Sequence, residues 1–269
     1  MKKRDLSIDF LRATAIFLMV ITHVNALLYT GNSFYLDIFT TAGATLCFSI
    51  FLFCFAYIHG LKIEKEKPFE LKKTLKRAFE IYLVYFLCAI YISLILNQGI
   101  SLKDILNIAI LNYVPEFIEF LIAFIIFSFI PLLFSKQIKK LMKKPILFIA
   151  LSLLIYLIGS VAYSYASKYS LPIAVRIFIE NFFGYRNQHR FPLFAYFPIY
   201  TFGILLSKYK SKKVLLYTLI LSTGIFLVLF FLKLYHWYRW PPSPLFLLYG
   251  LIYIPFMLLV YRGGEKIFS

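Results

Sequence analysis

Long apolar runs separated by short polar connections dominate this chain. Eight of these runs have about 17 to 25 residues, the length that a helix needs to cross the hydrocarbon core of a membrane. We predict membrane spans near residues 8–28, 38–60, 78–97, 115–135, 146–166, 191–207, 213–234 and 244–261. Two shorter apolar pieces, near 102–114 and 172–183, predict interfacial or re-entrant helices.

The composition supports a membrane protein. Hydrophobic residues make up 61% of the 269 residues and charged residues 15%, whereas soluble domains have about 45–50% and about 25%. We therefore expect an all-α integral membrane protein, a bundle of about eight transmembrane helices plus short interfacial helices, forming a single domain over 1–269. The first apolar stretch is longer than a signal-peptide core and lacks a small-residue cleavage site, so we expect it to be retained.

The positive charge is unevenly distributed among the connections. If both termini are cytoplasmic, the inside segments carry 21 of the 29 Lys and Arg residues and the outside segments carry 7. Cytoplasmic loops of membrane proteins are enriched in Lys and Arg. The sequence thus predicts cytoplasmic N- and C-termini and a cell membrane location, plasma or inner. The net charge of +17 then faces anionic lipid, and we expect the lipid bilayer, not nucleic acid, as its partner.

One stripe of the first span carries ionisable residues. Asp9, Arg12, Ile16, Met19 and His23 follow one another at spacings of three and four residues, which places them on one side of a helix. Along the helix axis, Arg12 and His23 lie about 16 Å apart. Ionisable groups inside a membrane are costly and usually face a bundle interior or a water-filled cavity. The stripe is therefore the main functional candidate.

The same segment resembles the opening of the membrane-bound acyltransferase-3 family and is similar to the related heparan-glucosaminide-acetyltransferase-like group. The matching positions are Ile8, Asp9, Leu11, Arg12 and His23, with ten residues between the arginine and the histidine. The resemblance implies transfer of an acyl group, often acetyl, from cytoplasmic acyl-CoA to a sugar across the membrane. It also implies that the histidine deprotonates the acceptor and that the arginine serves the CoA side.

Each of these residues could have either a functional role or a purely structural one. A neutral His23 suits a general base, or a hydrogen bond to a neighbouring span. The Arg12 guanidinium would bind CoA phosphates or, alternatively, extend to the lipid headgroups. Asp9 would hold the guanidinium in place. Arg77 is a candidate for a CoA phosphate or belongs to a solvated face. His59 is expected to be a cation at a helix end.

The remaining candidates lie on the predicted outer side. Glu119 and the shallower Glu116 are expected at the outer end of the fourth span, where a buried carboxylate would orient His23 or bind an acceptor hydroxyl. The alternative is a pair of solvated acids at a helix start. The residues expected to bind the acceptor, or else to form an interfacial belt, are His189, Arg190, Trp237 and Arg239. The sequence shows no metal-ligand spacing.

Two other functions compete with an acyltransferase. A transporter or flippase of lipid-linked sugars is favoured by Pro198 and Pro255 inside apolar runs, because broken helices mark substrate sites near the membrane midplane. A non-catalytic membrane partner is favoured by Ala13, which stands where the family pattern has glycine.

Overall fold

The structure is a computed structural model that describes residues 5–28, 31, 33–97, 99–186, 190–234 and 242–268. The described part of the chain is helical and contains no β-strand. Its helices are α1 (Leu6–Leu28), α2 (Phe34–Glu64), α3 (Leu71–Asn97), α4 (Leu102–Ala109), α5 (Phe120–Met142), α6 (Pro145–Ala166), α7 (Ile173–Phe182), α8 (Leu193–Lys208), α9 (Lys212–Phe231) and α10 (Pro244–Phe268).

Among the described residues, seven helices are long and apolar enough to cross a membrane: α1, α2, α3, α5, α6, α9 and α10. These helices agree with the prediction of a helical, multi-pass membrane protein. Helix α8 is apolar but has only 16 residues, so it is about 24 Å long and shorter than the roughly 30 Å hydrocarbon core. The count of eight spans and the cytoplasmic position of both termini stay predictions.

The chain divides into two compact units. Unit 1 comprises Met1–Leu61 and Pro198–Ser269, and unit 2 comprises Lys62–Phe197. The chain passes from one unit to the other within α2 and within α8. Apolar helices build both units, and each unit is described separately below.

Small residues allow the helices of unit 1 to approach one another closely. A Cβ at Gly43 of α2 would lie only 2.7 Å from the carbonyl oxygen of Leu18 on α1. A Cβ at Gly203 of α8 would lie 2.6 Å from the carbonyl oxygen of Phe53 on α2. Close packing at small residues is a common way for membrane helices to associate. The glycines therefore determine how α1, α2 and the second part of α8 pack.

Helix α4 of unit 2 re-enters the bundle beside α3. The hydroxyl of Tyr82 donates to the carbonyl of Ala109 at 2.6 Å, and that of Tyr85 to the carbonyl of Ile108 at 3.3 Å. The two tyrosines precede the end of α3 at Asn97 by about 18 to 22 Å along the axis. The end of α4 therefore lies beside the middle of a membrane-spanning helix. Of the two predicted alternatives, re-entrant and interfacial, the contacts favour re-entrant.

An irregular segment separates α4 from the next long helix, α5, which begins later in the sequence than predicted. Helix α5 begins at Phe120 and not near residue 115, so the predicted start of the fourth span is wrong by about five residues. Leu111 and Phe117 have positive φ angles of 61° and 76°, which non-glycine residues adopt rarely. A helix cannot continue through such residues, and this accounts for the late start of α5.

Candidate functional site

The ionisable stripe of α1 lies beside the most buried face of that helix. The buried face consists of Ser7, Ile8, Leu11, Ala15 and Leu18. Arg12 follows Leu11 by about 100° around the helix, and Ile16 of the stripe is half exposed. The stripe therefore borders the packed core and is not enclosed by it.

Asp9 and Arg12 form the ion pair that their spacing predicts. A guanidinium nitrogen of Arg12 lies 3.8 Å from Asp9 Oδ1, and 41% of the Arg12 side chain is exposed. The guanidinium also interacts with the buried thiol of Cys54 on α2. An ion pair this long and this exposed holds the side chain weakly, so the Arg12 guanidinium is accessible to an anionic group.

The helical turn that carries His23 is fixed against α2. Thr22 donates to the carbonyl oxygen of Thr40 at 3.4 Å, and Asn25 donates to the Thr40 hydroxyl at 2.7 Å. Gly43 makes room for this crossing because its missing side chain would meet the Thr22 hydroxyl. His23 is partly buried. Hydrogen bonds of Thr22 and Asn25 therefore hold the helical turn of His23 against α2.

A polar network that we did not predict joins the first residues of unit 1 to its last helix. Asp5 Oδ2 accepts a hydrogen bond from the Tyr57 hydroxyl at 2.7 Å and lies 3.6 Å from the Arg262 guanidinium, while Ser7 donates to Oδ1 at 2.5 Å. Burial raises the pKa of Asp5. The hydrogen bonds from Ser7 and Tyr57 and the positive charges of Arg262 and Lys210 outweigh that effect, so this pKa lies below its usual value.

His59 has a different environment from the one expected. Helix α2 continues to Glu64, so the prediction of a cation at the helix end is wrong. The Nδ1 atom of His59 lies 2.9 Å from the hydroxyl of Tyr200, which is fully buried in α8. The ring of Phe55 packs against the imidazole with centroids 4.2 Å apart. His59 is therefore an interhelical hydrogen-bonding residue.

Unit 2 contains a buried cluster of opposite charges. Arg190 Nη2 lies 3.1 Å from Glu180 Oε2, and the two side chains are only 4% and 3% exposed. The same Nη2 donates to the carbonyl of Leu111 at 2.7 Å. Arg176 lies 3.5 Å from the other oxygen of Glu180 and donates to the side chain of Asn112. Glu180, Arg176 and Asn112 were absent from our predicted site.

Glu119 joins this cluster through its charge. It is buried just before α5, whereas Glu116 is exposed. The prediction that Glu119 is the deeper of the two is therefore confirmed, although both residues precede the helix. The carboxylate of Glu119 interacts electrostatically with Arg190. Two predicted site residues, Glu119 and Arg190, thus belong to the same unit and interact through their charges, while Arg77 is exposed on α3.

Three of the predicted acceptor-binding residues, His189, Trp237 and Arg239, lie outside the described residues. Within the described ranges, no three or more His, Cys, Asp and Glu side chains group in a way that would hold a metal ion.

Comparison of the chain with protein-family models, with curated proteins and with solved structures finds no match. The resemblance of the opening segment to a membrane acyltransferase family therefore stays a prediction. Any proposal about function depends on the residues themselves.

Proposed function

We propose that this protein is an integral membrane acyltransferase. It moves an acyl group from cytoplasmic acyl-CoA to a hydroxyl or amine of an extracytoplasmic glycan or lipid-linked sugar, and the proposed acyl group is acetyl. The observation that carries the proposal is the stripe of α1. A half-exposed arginine and a partly buried histidine occupy one side of a membrane-spanning helix, about 16 Å apart along its axis.

The arginine end of the stripe suits the donor. CoA carries several phosphates, and a planar guanidinium binds phosphate oxygens through two hydrogen bonds. The bias of Lys and Arg across the spans orients this end of α1 toward the cytoplasm, where acyl-CoA is found. An extended donor bound at Arg12 would carry its thioester about 16 Å along the helix to the level of His23.

The histidine end suits the chemical step. A neutral imidazole of His23 accepts the proton of the acceptor hydroxyl, and the oxygen attacks the carbonyl carbon of the thioester. The new carbon–oxygen bond forms as the carbon–sulfur bond breaks. The CoA thiolate then takes the proton from the imidazolium. The products are the acylated acceptor and CoA thiol, and His23 returns to its neutral form.

The test uses membranes with their native glycans and radiolabelled acetyl-CoA. We expect His23→Gln to lower the labelling of envelope carbohydrate by about 10²–10⁴-fold, with the amount of membrane-inserted protein unchanged. The matched control is His59→Gln, which alters another histidine of unit 1 and should retain labelling. Equal labelling by wild type and His23→Gln would refute the proposal.

A second function is favoured by one feature, the re-entrant helix α4 with the irregular backbone after it. Irregular backbone inside a membrane often lines a substrate path, so a transporter or flippase of lipid-linked sugars is the competing proposal. The sequence feature that favoured a transporter was the presence of prolines expected to break helices. This support is weaker than expected, because Pro198 and Pro255 lie within the continuous helices α8 and α10. Movement of a lipid-linked sugar across proteoliposomes without acyl-CoA would favour transport.

A further inference from the structure

The charged cluster of unit 2 contacts a segment that lies beside the middle of α3, a helix long and apolar enough to cross a membrane. Arg190 donates to the carbonyl of Leu111, which follows the end of α4 by two residues. That end lies beside the middle of the membrane-spanning helix α3, next to Tyr82. Ionisable residues at such depth are rare and usually mark a substrate or ion path.

The cluster is electrically balanced. Arg176 and Arg190 contribute two positive charges, and Glu119 and Glu180 contribute two negative charges. A buried charge without a partner costs several kcal/mol. A phosphate or carboxylate bound here would add an uncompensated negative charge, and a cation would add a positive one. The charge balance therefore favours a ligand with no net charge at the part that enters the cluster.

The cluster also contains a buried hydrogen-bond donor of Arg190 that has no partner among the described residues. This donor is the Nη1 atom, whereas Nε of Arg176 faces Glu180 in the ion pair at 3.5 Å. A buried donor that is left unsatisfied destabilises the fold, so such an atom in a native protein calls for an explanation. The Arg176 side chain is 31% exposed and Asn112 is half-buried, so a ligand has access to the cluster from that side.

We propose that this cluster binds the neutral, hydroxyl-rich part of the acceptor, a sugar ring. Guanidinium N–H groups of Arg190 and Arg176 donate to hydroxyl oxygens, and the carboxylates of Glu119 and Glu180 accept from hydroxyl protons. A hydroxyl both donates and accepts, so sugar hydroxyls complement a site that offers both kinds of group without changing its charge. The inference rests on the proposed function, because it names the substrate class of the acceptor.

The first experiment measures binding to the purified full chain in nanodiscs without acyl-CoA. The probes are radiolabelled methyl glycosides of glucose, galactose and N-acetylglucosamine, and the charged comparisons are glycerol 3-phosphate and choline. We expect saturable binding of at least one glycoside and at least tenfold weaker binding of both charged probes. Failure of every glycoside to bind, or tighter binding of a charged probe, would overturn the inference.

Variants then test whether binding occurs at the cluster. The double variant Glu180→Gln/Arg190→Gln removes both charges together, which avoids leaving one buried charge alone, and Arg176→Lys changes the half-exposed arginine. We expect each to weaken glycoside binding at least tenfold, whereas Lys168→Gln, at an exposed position of unit 2, should bind like wild type. Unchanged binding in a folded double variant would show that the cluster only supports the fold.

The proposed function and this inference can fail separately. We expect His23→Gln to bind glycosides with wild-type affinity, because His23 is not among the residues that we propose to bind the sugar. Glycoside binding in a protein that transfers no acyl group would refute the acyltransferase and leave the sugar site standing. Acyl transfer to glycans that continues in the folded double variant would refute the sugar site alone.

Discussion

The two units hold their ionisable side chains in contrasting ways. In unit 1, Arg12 is half exposed, forms a long ion pair with Asp9 and interacts with the thiol of Cys54. In unit 2, Arg190 is almost completely buried and lies within hydrogen-bonding distance of Glu180. The first arrangement leaves a cation accessible to a ligand from outside the protein. In the second, Glu180 and Arg190 are buried against each other, and access is from the side of Arg176, whose side chain is 31% exposed.

The contacts between helices also differ between the two units. In unit 1, Gly43 and Gly203 lie against the backbone of neighbouring helices. In unit 2, Gly159 lies against the side chain of Phe194, and tyrosine hydroxyls such as that of Tyr82 join α3 to α4.

In unit 1 the half-exposed guanidinium of Arg12 is available to a ligand without large cost to the fold, whereas the network of Asp5 in the same unit contributes to stability. In unit 2, function and stability depend on the same side chains, and experiments must separate the two.

The largest expected effect on stability is at Arg190. Replacing it with methionine removes the nearer cationic partner of buried Glu180 and leaves Arg176 at 3.5 Å, which should lower the free energy of unfolding by up to about 3–5 kcal/mol. The double variant Glu180→Gln/Arg190→Met should recover most of that loss. Unfolding in mixed micelles measures both. A single variant as stable as wild type would mean that water reaches Glu180.

Next in size is the glycine contact of unit 1. Gly203→Ala places a methyl group 2.6 Å from the carbonyl oxygen of Phe53, and overpacking of this kind costs about 1–3 kcal/mol. The matched control is Gly224→Ala on α9, where a Cβ meets nothing within 4 Å, and helix propensity favours alanine by about 0.5–1 kcal/mol. Thermal unfolding should therefore separate the two variants in opposite directions from wild type.

A smaller, pH-dependent effect is expected at Asp5. Its pKa is lowered in the folded protein, so its ionised form stabilises the fold above the unfolded pKa of about 3.9, and this stabilisation is lost as the pH falls through the folded value. Asp5→Asn should be less stable than wild type at pH 7, and the difference should shrink below about pH 4. A difference that is independent of pH would contradict the network.

The smallest expected effect is at Arg12. An exposed ion pair contributes about 1 kcal/mol or less, so Arg12→Met should unfold within that margin of wild type. The same variant should lose acetyl-CoA-dependent labelling. A loss of stability as large as that of Arg190→Met would contradict the comparison between the units.

Much of the fold could be predicted from local hydrophobicity. The long apolar runs became helices close to the predicted positions, and the two short pieces became α4 and α7. The late start of α5 could not be predicted, because it depends on positive φ angles at Leu111 and Phe117, which composition does not reveal. The end of α2 was misplaced because Gly60 suggested a helix end, whereas it allows contact with Ser207 of α8.

The site was harder to predict than the fold. The pairing of Asp9 with Arg12 follows from a spacing of three residues, so the sequence revealed it. Two partners of Asp5, Tyr57 and Arg262, are 52 and 257 residues away, and no local pattern indicates such contacts. We predicted Arg190 as a site residue from the polar segment around it. Glu180 lies among apolar residues of α7, and this pattern did not indicate that the two side chains would be in contact.

The most direct test of the central claim supplies the donor to one side of the membrane. Sealed inside-out vesicles expose the cytoplasmic face, so radiolabelled acetyl-CoA added outside should acetylate glycans within the lumen. We predict that His23→Gln abolishes lumenal labelling while His59→Gln retains it. Equal labelling by wild type and His23→Gln, or labelling only when acetyl-CoA is given to right-side-out vesicles, would contradict the account.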